Sequence, residues 1–308
     1  MDREGQTTAA GTPLAEQLGR VGLWTSKLDL QPADQLRSML AELEALGWGS
    51  VWSWEVFGRE ALTNAGLLLG ATRRMVIGTG IANIWARDPV AMAAAQRTLA
   101  EAYPGRFVLG LGVSHAPIVD ARGHRYVRPL ERMRGYLDAM DAAPWQGPPL
   151  QEEPVRVLAA LGPRMLELAA QRSAGALTYN AAPEATAWAR SILGSGPLLA
   201  VEQAVVVEAD PAEARRVARE LLAFYLTLPN YVRAWDRAGF GPGDLADGGS
   251  DRLVDAVVAW GSPEEIADRV DAQLEAGADH VCLQVLDPDP SAHPMAACRA
   301  LAPVLLER

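Results

Sequence analysis

The chain has 308 residues, about half of them apolar, and a net charge of −10. That balance argues against nucleic acid and anionic membrane as main partners, because both need a basic face. Cys282 and Cys298 lie in or near apolar runs and read as reduced thiols rather than a disulfide framework. No apolar run reaches the length of a bilayer span.

Residues 1–19, MDREGQTTAAGTPLAEQLG, lack the charged-then-apolar order of a signal peptide and read as the flexible tail of a cytoplasmic protein. Lys27, in WTSKLD, is the only lysine, so a phosphate-binding Gly-Lys-Ser/Thr loop is absent and Schiff-base chemistry has a single candidate with no sign of desolvation. Strands are expected at VGLW (21–24), SVWS (50–53), MVIGTG (75–80), RFVLGLG (106–112), VRVLAAL (155–161), GALTY (175–179), LLAVEQAVVVE (198–208) and HVCLQVL (280–286). Between them ADQLRSMLAELEAL, DPVAMAAAQRTLAEAY and PRMLELAAQRSAG repeat apolar residues every three or four positions, as helices do. Near-continuous apolar strands alternating with helices predict a parallel sheet covered by helices, and eight such units predict a (β/α)8 TIM barrel over 20–308. The connection after the fourth strand is lengthened by SHAPIVDARGHRYVRP. The segment of about 209–279, between the seventh and eighth strands, reads as a helical insertion over the barrel mouth.

A barrel of this kind places its active site at the C-terminal strand ends. That position selects Trp24, Trp54, Glu55, Gly80 to Trp85, Ser114, His115, Gly162, Tyr179, Asn180, Glu202 and Gln203. His115 follows GLGVS in a chain of four histidines and is the side chain suited to proton transfer near neutral pH; a structural histidine is the alternative. Glu55 reads equally as a mouth carboxylate or as a cap on the next helix. Trp24, Trp54 and Trp85, at three adjacent strand ends, are expected to wall a substrate pocket for a flat ring, although each alone is better explained by packing. GTG (78–80) and GLG (110–112) lack the third glycine of a dinucleotide fingerprint, so their glycines concern close backbone approach instead. Gly162-Pro163 starts a helix whose free N–H groups suit a phosphate, and a plain helix start explains it equally well. The histidine and cysteine spacing offers no metal site.

VIGTGIANIWARDPVAMAAAQRTLAEAYPGRFVLGLGVSHAP resembles the luciferase-like superfamily of flavin- and deazaflavin-dependent oxidoreductases, nearest its actinobacterial branch that uses coenzyme F420. The resemblance extends from LGRVGLW to HVCLQVL. It implies hydride transfer between F420 and a small organic substrate carrying a C=C, a C=O or an alcohol. The Gly80–Ile81 peptide matches the place where relatives have a non-prolyl cis bond beneath the cofactor ring. The resemblance further implies that Ala82 and Asn83 line the pocket and that Ala160, Leu161 and Gly162 meet the ribityl-phosphate tail; Ser114, Tyr179 and Asn180 are grouped with them. His115 falls where a sugar-phosphate-oxidising relative has an active-site glutamate. Glu55 falls where that relative has an aspartate before a catalytic histidine, but here Val56 follows, which leaves His115 as the stronger acid/base. A homodimer is implied as well. The alternatives are an FMN-dependent monooxygenase supplied by a separate reductase, and a non-catalytic flavin- or deazaflavin-binding protein.

Overall fold

A computed structural model describes residues 14–25, 27–289 and 292–307. The tail expected over 1–19 is in part a helix, α1 (Leu14–Leu18); residues 1–13 lie outside the described residues. Leu14 and Leu18 are buried against Val76, Val108, Val157 and Leu198, so α1 closes the floor of the barrel. Two leucines four apart put both side chains on one helix face, which is how so short a segment finds a docking site.

The sheet is wholly parallel. It comprises β1 (Val21–Trp24), β2 (Ser50–Ser53), β3 (Val76–Thr79), β4 (Ala82–Asn83), β5 (Phe107–Gly112), β6 (Val155–Ala159), β7 (Gly175–Thr178), β8 (Leu198–Val206), β9 (Val258–Trp260) and β10 (His280–Leu286). Each neighbouring pair is joined in order from β1 round to β8, and β10 pairs with both β8 and β1, which closes the ring. β3 and β4 are one barrel strand interrupted at Gly80–Ile81, and β9 is an extra strand, so the barrel proper has the expected eight staves.

The helices that cover it are α2 (Ala33–Ala45), α3 (Ala61–Ala71), α4 (Pro89–Ala102), α5 (Ala116–Ala121), α6 (Pro129–Asp141), α7 (Pro163–Arg172) and α8 (Pro183–Leu193). α4 begins at Pro89 behind Asp88, whose carboxylate accepts the Val90 and Ala91 N–H groups (3.0 and 2.9 Å). That fixes where the strand-to-helix turn ends. After β8 come α9 (Pro211–Tyr225), α10 (Pro229–Arg237), α11 (Pro242–Leu245) and α12 (Asp251–Val257), then α13 (Pro263–Glu275) and, after β10, α14 (Met295–Leu306). The insertion is thus shorter than the 209–279 expected. α13 packs on α8, α14 and β10 as a regular barrel helix, and β9 returns to the sheet.

Inside the barrel the residues are stacked from floor to mouth. His280 on the floor is neutral: Trp52 Nε1 donates to its Nε2 (3.0 Å), and its Nδ1 lies 2.7 Å from the Gly19 carbonyl, which makes that nitrogen the N–H bearer. Burial lowers its pKa to about 4. Trp52 lies against Gly78 and Trp24 against Gly80, where a Cβ would collide with each ring. Glycines on β3 therefore make room for indoles, as barrel layers that alternate small and large residues require. Cys282 and Cys298 are buried free thiols, and burial raises the pKa of both, that of Cys298 to about 12. No helix among the described residues is long and apolar enough to cross a membrane.

Candidate active site

The mouth begins at the Gly80–Ile81 peptide, which is cis. Ile81 packs over Gly112 of β5, and Thr79 exchanges two hydrogen bonds with Gly110, its hydroxyl donating to the carbonyl (2.8 Å) and accepting from the N–H (2.9 Å). Gly110 admits no Cβ because the Thr79 carbonyl occupies that place. The GTG and GLG glycines are therefore two faces of one close approach between adjacent strands.

Asn83 is fully buried at the end of β4. Its Oδ1 accepts from the Trp85 N–H (2.9 Å), while its Nδ2 has no partner. Glu55 is also buried, and both of its oxygens are engaged. Oε2 accepts from Asn83 N (2.7 Å), and Oε1 accepts from Ala61 N (3.3 Å) at the start of α3 and pairs with Arg87. Arg87 also reaches Glu60 (2.6 Å). Of the two readings of Glu55, the structure favours the helix cap: it ties the β3–β4 bulge to α3 and faces a cation.

The expected tryptophan wall does not form. Trp24 is inside the barrel, between Gly80 and Tyr179 (ring centroids 5.4 Å apart). Trp85 faces outward, donating from Nε1 to the Val113 carbonyl (3.0 Å) beneath Arg132, Tyr126 and His124. Trp54 stands on the rim, 37% exposed. Three strand ends adjacent in sequence order thus send their indoles in three directions: only Trp24 lies on a strand, and Trp54 and Trp85 stand in the connections after β2 and β4.

The aromatic surface comes from elsewhere. α9 and α10 bring Phe224, Tyr225, Tyr231 and Trp235 across the mouth beside Tyr179 and His115. Tyr225 donates to the Tyr179 hydroxyl (3.0 Å), which donates to Gln284 Oε1 (2.6 Å). His115 follows Ser114, whose φ of 56° turns the chain at the end of β5. The His115 ring lies 5.6 Å from Tyr231 and 6.3 Å from Phe224, its Nδ1 is buried without a partner, and burial lowers its pKa to about 4. At neutral pH it is an uncharged imidazole.

On the next side of the mouth, Asn180 is held at φ 51° and is 2% exposed, with neither side-chain atom bonded; the Thr178 hydroxyl is likewise buried and unpaired. Both line a cavity of about 190 Å³ between the ends of β6 and β7 and helices α7, α8 and α10. Ala160, Leu161, Trp188, Trp235 and Arg237 also border it. Gly162, next in sequence to the cavity-lining Leu161, is the cap of α7, with open space where a Cβ would point. Arg237 lies over Trp188 (4.8 Å) and donates to the Leu161 carbonyl (2.6 Å). Within the barrel wall, Glu202 of β8 is fully buried: Oε2 accepts from Asn180 N (3.0 Å), Oε1 has no partner, and burial raises its pKa to about 8. Gln203, its neighbour, points outward to the Val257 carbonyl (3.0 Å) and Gln273 (3.0 Å) and belongs to the packing.

Sequence position thus located the Gly80–Asn83, Ser114–His115, Ala160–Gly162 and Tyr179–Asn180 stretches around one mouth. It missed Arg87, Tyr225, Tyr231, Arg237 and Gln284. Among the described residues no group of three or more His, Cys, Asp or Glu side chains gathers as metal ligands.

Ser53 Oγ, Asn83 Nδ2, His115 Nδ1, Thr178 Oγ1, both Asn180 atoms and Glu202 Oε1 are buried polar atoms without partners, on or just after five of the barrel staves. Buried polar groups in native proteins are nearly always paired. A flat heterocycle with donors and acceptors at its edge, carrying a phosphate-bearing chain toward Gly162, would fit this set.

Comparison with known proteins places the chain in an enzyme family. A family model described as luciferase-like monooxygenase matches residues 7–280. A putative coenzyme F420-dependent oxidoreductase of Mycobacterium tuberculosis is 35% identical over 130 residues, which is 42% of this chain and 35% of that protein. The 5,10-methylenetetrahydromethanopterin reductase of Archaeoglobus fulgidus is 24% identical over 283 residues, covering 77% of this chain and 85% of that one. An F420-dependent secondary alcohol dehydrogenase, solved with an F420-acetone adduct, superposes with a TM-score of 0.73 at 18% identity, over 92% of this chain and 97% of that one.

Proposed function

This chain belongs to the luciferase-like monooxygenase family, and we propose that it transfers a hydride between coenzyme F420 and a small organic substrate, a C=C or C=O compound or an alcohol. The observation that carries this reading is the ring of unpartnered buried polar atoms at the mouth, in a chain whose relatives include F420 enzymes. Bound there, the deazaflavin would supply a hydride donor or acceptor at one face of its ring.

The chain's own residues then have separate tasks. The Gly80–Ile81 backbone would support the ring, with Asn83 Nδ2 and Ser53 Oγ, both buried without partners, as the polar groups that would meet it. Asn180 and the N–H groups at the start of α7, beside the cavity of about 190 Å³, take the tail and its phosphate. Tyr225, Tyr231 and Phe224 exclude water above the site. His115, neutral at its Nδ1 face, accepts the proton of an alcohol as its hydride leaves, and in the reverse direction returns it to the carbonyl oxygen. Glu55 keeps the bulge in place and takes no part in proton transfer.

Titrating the purified protein with F420 and, separately, with FMN tests the assignment. Low-micromolar binding of F420, followed by exchange of its hydride with a panel of alcohols and enones, is the expected result. Preference for FMN would favour the monooxygenase reading that the family name carries. Tight binding with no turnover of any panel member would favour a carrier of the cofactor.

A further inference from the structure

Glu202 has no role in the mechanism above, yet it is the most unusual group in the barrel. It is a carboxyl with no measurable exposure in a strand, LLAVEQAVV, whose other inward residues are apolar. β8 is paired along both edges, so nothing about strand formation requires a carboxyl there. The register Thr178↔Val201 places Tyr179 beside Glu202, and Trp24 touches both Tyr179 and Gly80. Glu202 is therefore linked to the Gly80 backbone through Tyr179 and Trp24, and it is fully buried beside Tyr179, against which Tyr225 and Tyr231 of α9 and α10 pack.

Its charge state follows from its neighbours. The titratable groups around it are Tyr179 of β7, Tyr225 of α9, Tyr231 of α10 and Cys282 of β10, all neutral at pH 7. No cation among the described residues offsets its burial, and a buried carboxyl without one stays protonated at neutral pH. Because Oε2 already accepts the Asn180 N–H, the proton belongs on Oε1, the oxygen with no partner. The result is a single buried O–H donor without a partner, next to Tyr179 and Asn180.

We propose that Glu202, as a neutral carboxylic acid, donates a hydrogen bond from Oε1 to a carbonyl at the innermost edge of the bound cofactor ring. It is a positioning residue, and this role rests on the deazaflavin reading above. A flat ring whose inner edge carries a dione supplies such an acceptor. A substrate arriving from solvent would not reach it, because a ring held at Gly80–Ile81 would stand between the two.

The test is a titration of wild type, Glu202→Gln and Glu202→Met with F420, followed by fluorescence and by the position of the bound cofactor's absorption band. The glutamine keeps a neutral donor, so it should bind within about threefold of wild type with the same band. The methionine removes the donor and should bind roughly tenfold more weakly with a shifted band. Thermal unfolding confirms that each variant is folded. Between pH 7 and 9 wild type should lose affinity relative to the glutamine variant as Glu202 ionises, and that difference cancels the cofactor's own titration. Equal binding and equal bands in all three proteins would overturn the contact while leaving the F420 reading intact. Loss of binding in both variants would show that the carboxylate form is required and would overturn the neutral-acid assignment. Failure of wild type to bind F420 would defeat the functional reading, and this inference with it.

Discussion

The two sides of the barrel mouth treat a buried carboxyl in opposite ways. On the β2–β3 side Glu55 is matched: Arg87 opposes its charge, and two backbone N–H groups occupy its oxygens. On the β7–β8 side Glu202 receives one N–H and no cation, and it lies among tyrosines. A matched carboxylate is part of the framework, because its neighbours hold it and it holds them. An unmatched one costs stability unless something else completes it, and such groups are concentrated where ligands bind.

The sharpest way to break that comparison is Glu55→Ala. It should destabilise the fold by about 3 kcal/mol in urea titration, because Arg87 is left buried with only the half-exposed Glu60 as partner. Unchanged stability with lost turnover would make Glu55 a chemical group and reverse the assignment. His115→Ala should lower turnover about a hundredfold, equivalent to about 2.7 kcal/mol, with little change in melting temperature. If the variant keeps full turnover with cofactor bound, His115 is not the acid/base.

A pH series of thermal unfolding separates the groups further. His115 and His280 have native pKa values near 4, below the value of 6.5 they have when unfolded, so the unfolded chain binds more protons between these pH values. Stability should fall as pH drops from 6.5 toward 4. Glu202 has the opposite sign: its native pKa near 8 exceeds 4.5, so its contribution is complete below pH 4.5 and is lost as pH rises toward 8. Glu202→Gln should flatten that alkaline decline, and an unaltered curve would mean that Glu202 is not buried as a neutral acid. Trp85→Phe should cost about 1 kcal/mol, for the hydrogen bond to Val113, and leave turnover nearly unchanged. Trp54→Ala, on the rim, should shift stability by less than about 0.5 kcal/mol.

What could be read in the sequence follows the range of each signal. The eight staves were visible because a buried parallel strand is apolar along its whole length, and the helices because their apolar period is local. α1 and β9 were not visible: five and three residues carry too little periodicity, and both depend on docking to distant strands. The Glu55 partner lies 32 positions away, so nothing near WEVFG distinguishes a paired carboxylate from a catalytic one. Glu202 did leave a trace, a lone acid in an apolar strand. Tyr225 and Tyr231 left none, because the insertion gives no register from which to tell that its helices cross the mouth.

The short strand β9 has a consequence for how this protein can vary. β10 occupies one edge of β8 from Ala200 to Val206, so β7 and β9 share the other, β7 along Leu198–Val201 and β9 along Ala204–Val206. The chain therefore leaves the barrel at the end of β8 and returns against the very residues from which it departed. A segment whose two ends are clamped side by side can be lengthened, shortened or exchanged while the clamp holds its base, and lengthening it adds little closure entropy. Phe224, Tyr225 and Tyr231 ride on that segment, whereas Gly80, His115 and Glu202 do not. Under the proposed function, substrate preference could thus be rewritten in one exchangeable cassette, with the proposed cofactor seat left untouched beneath it.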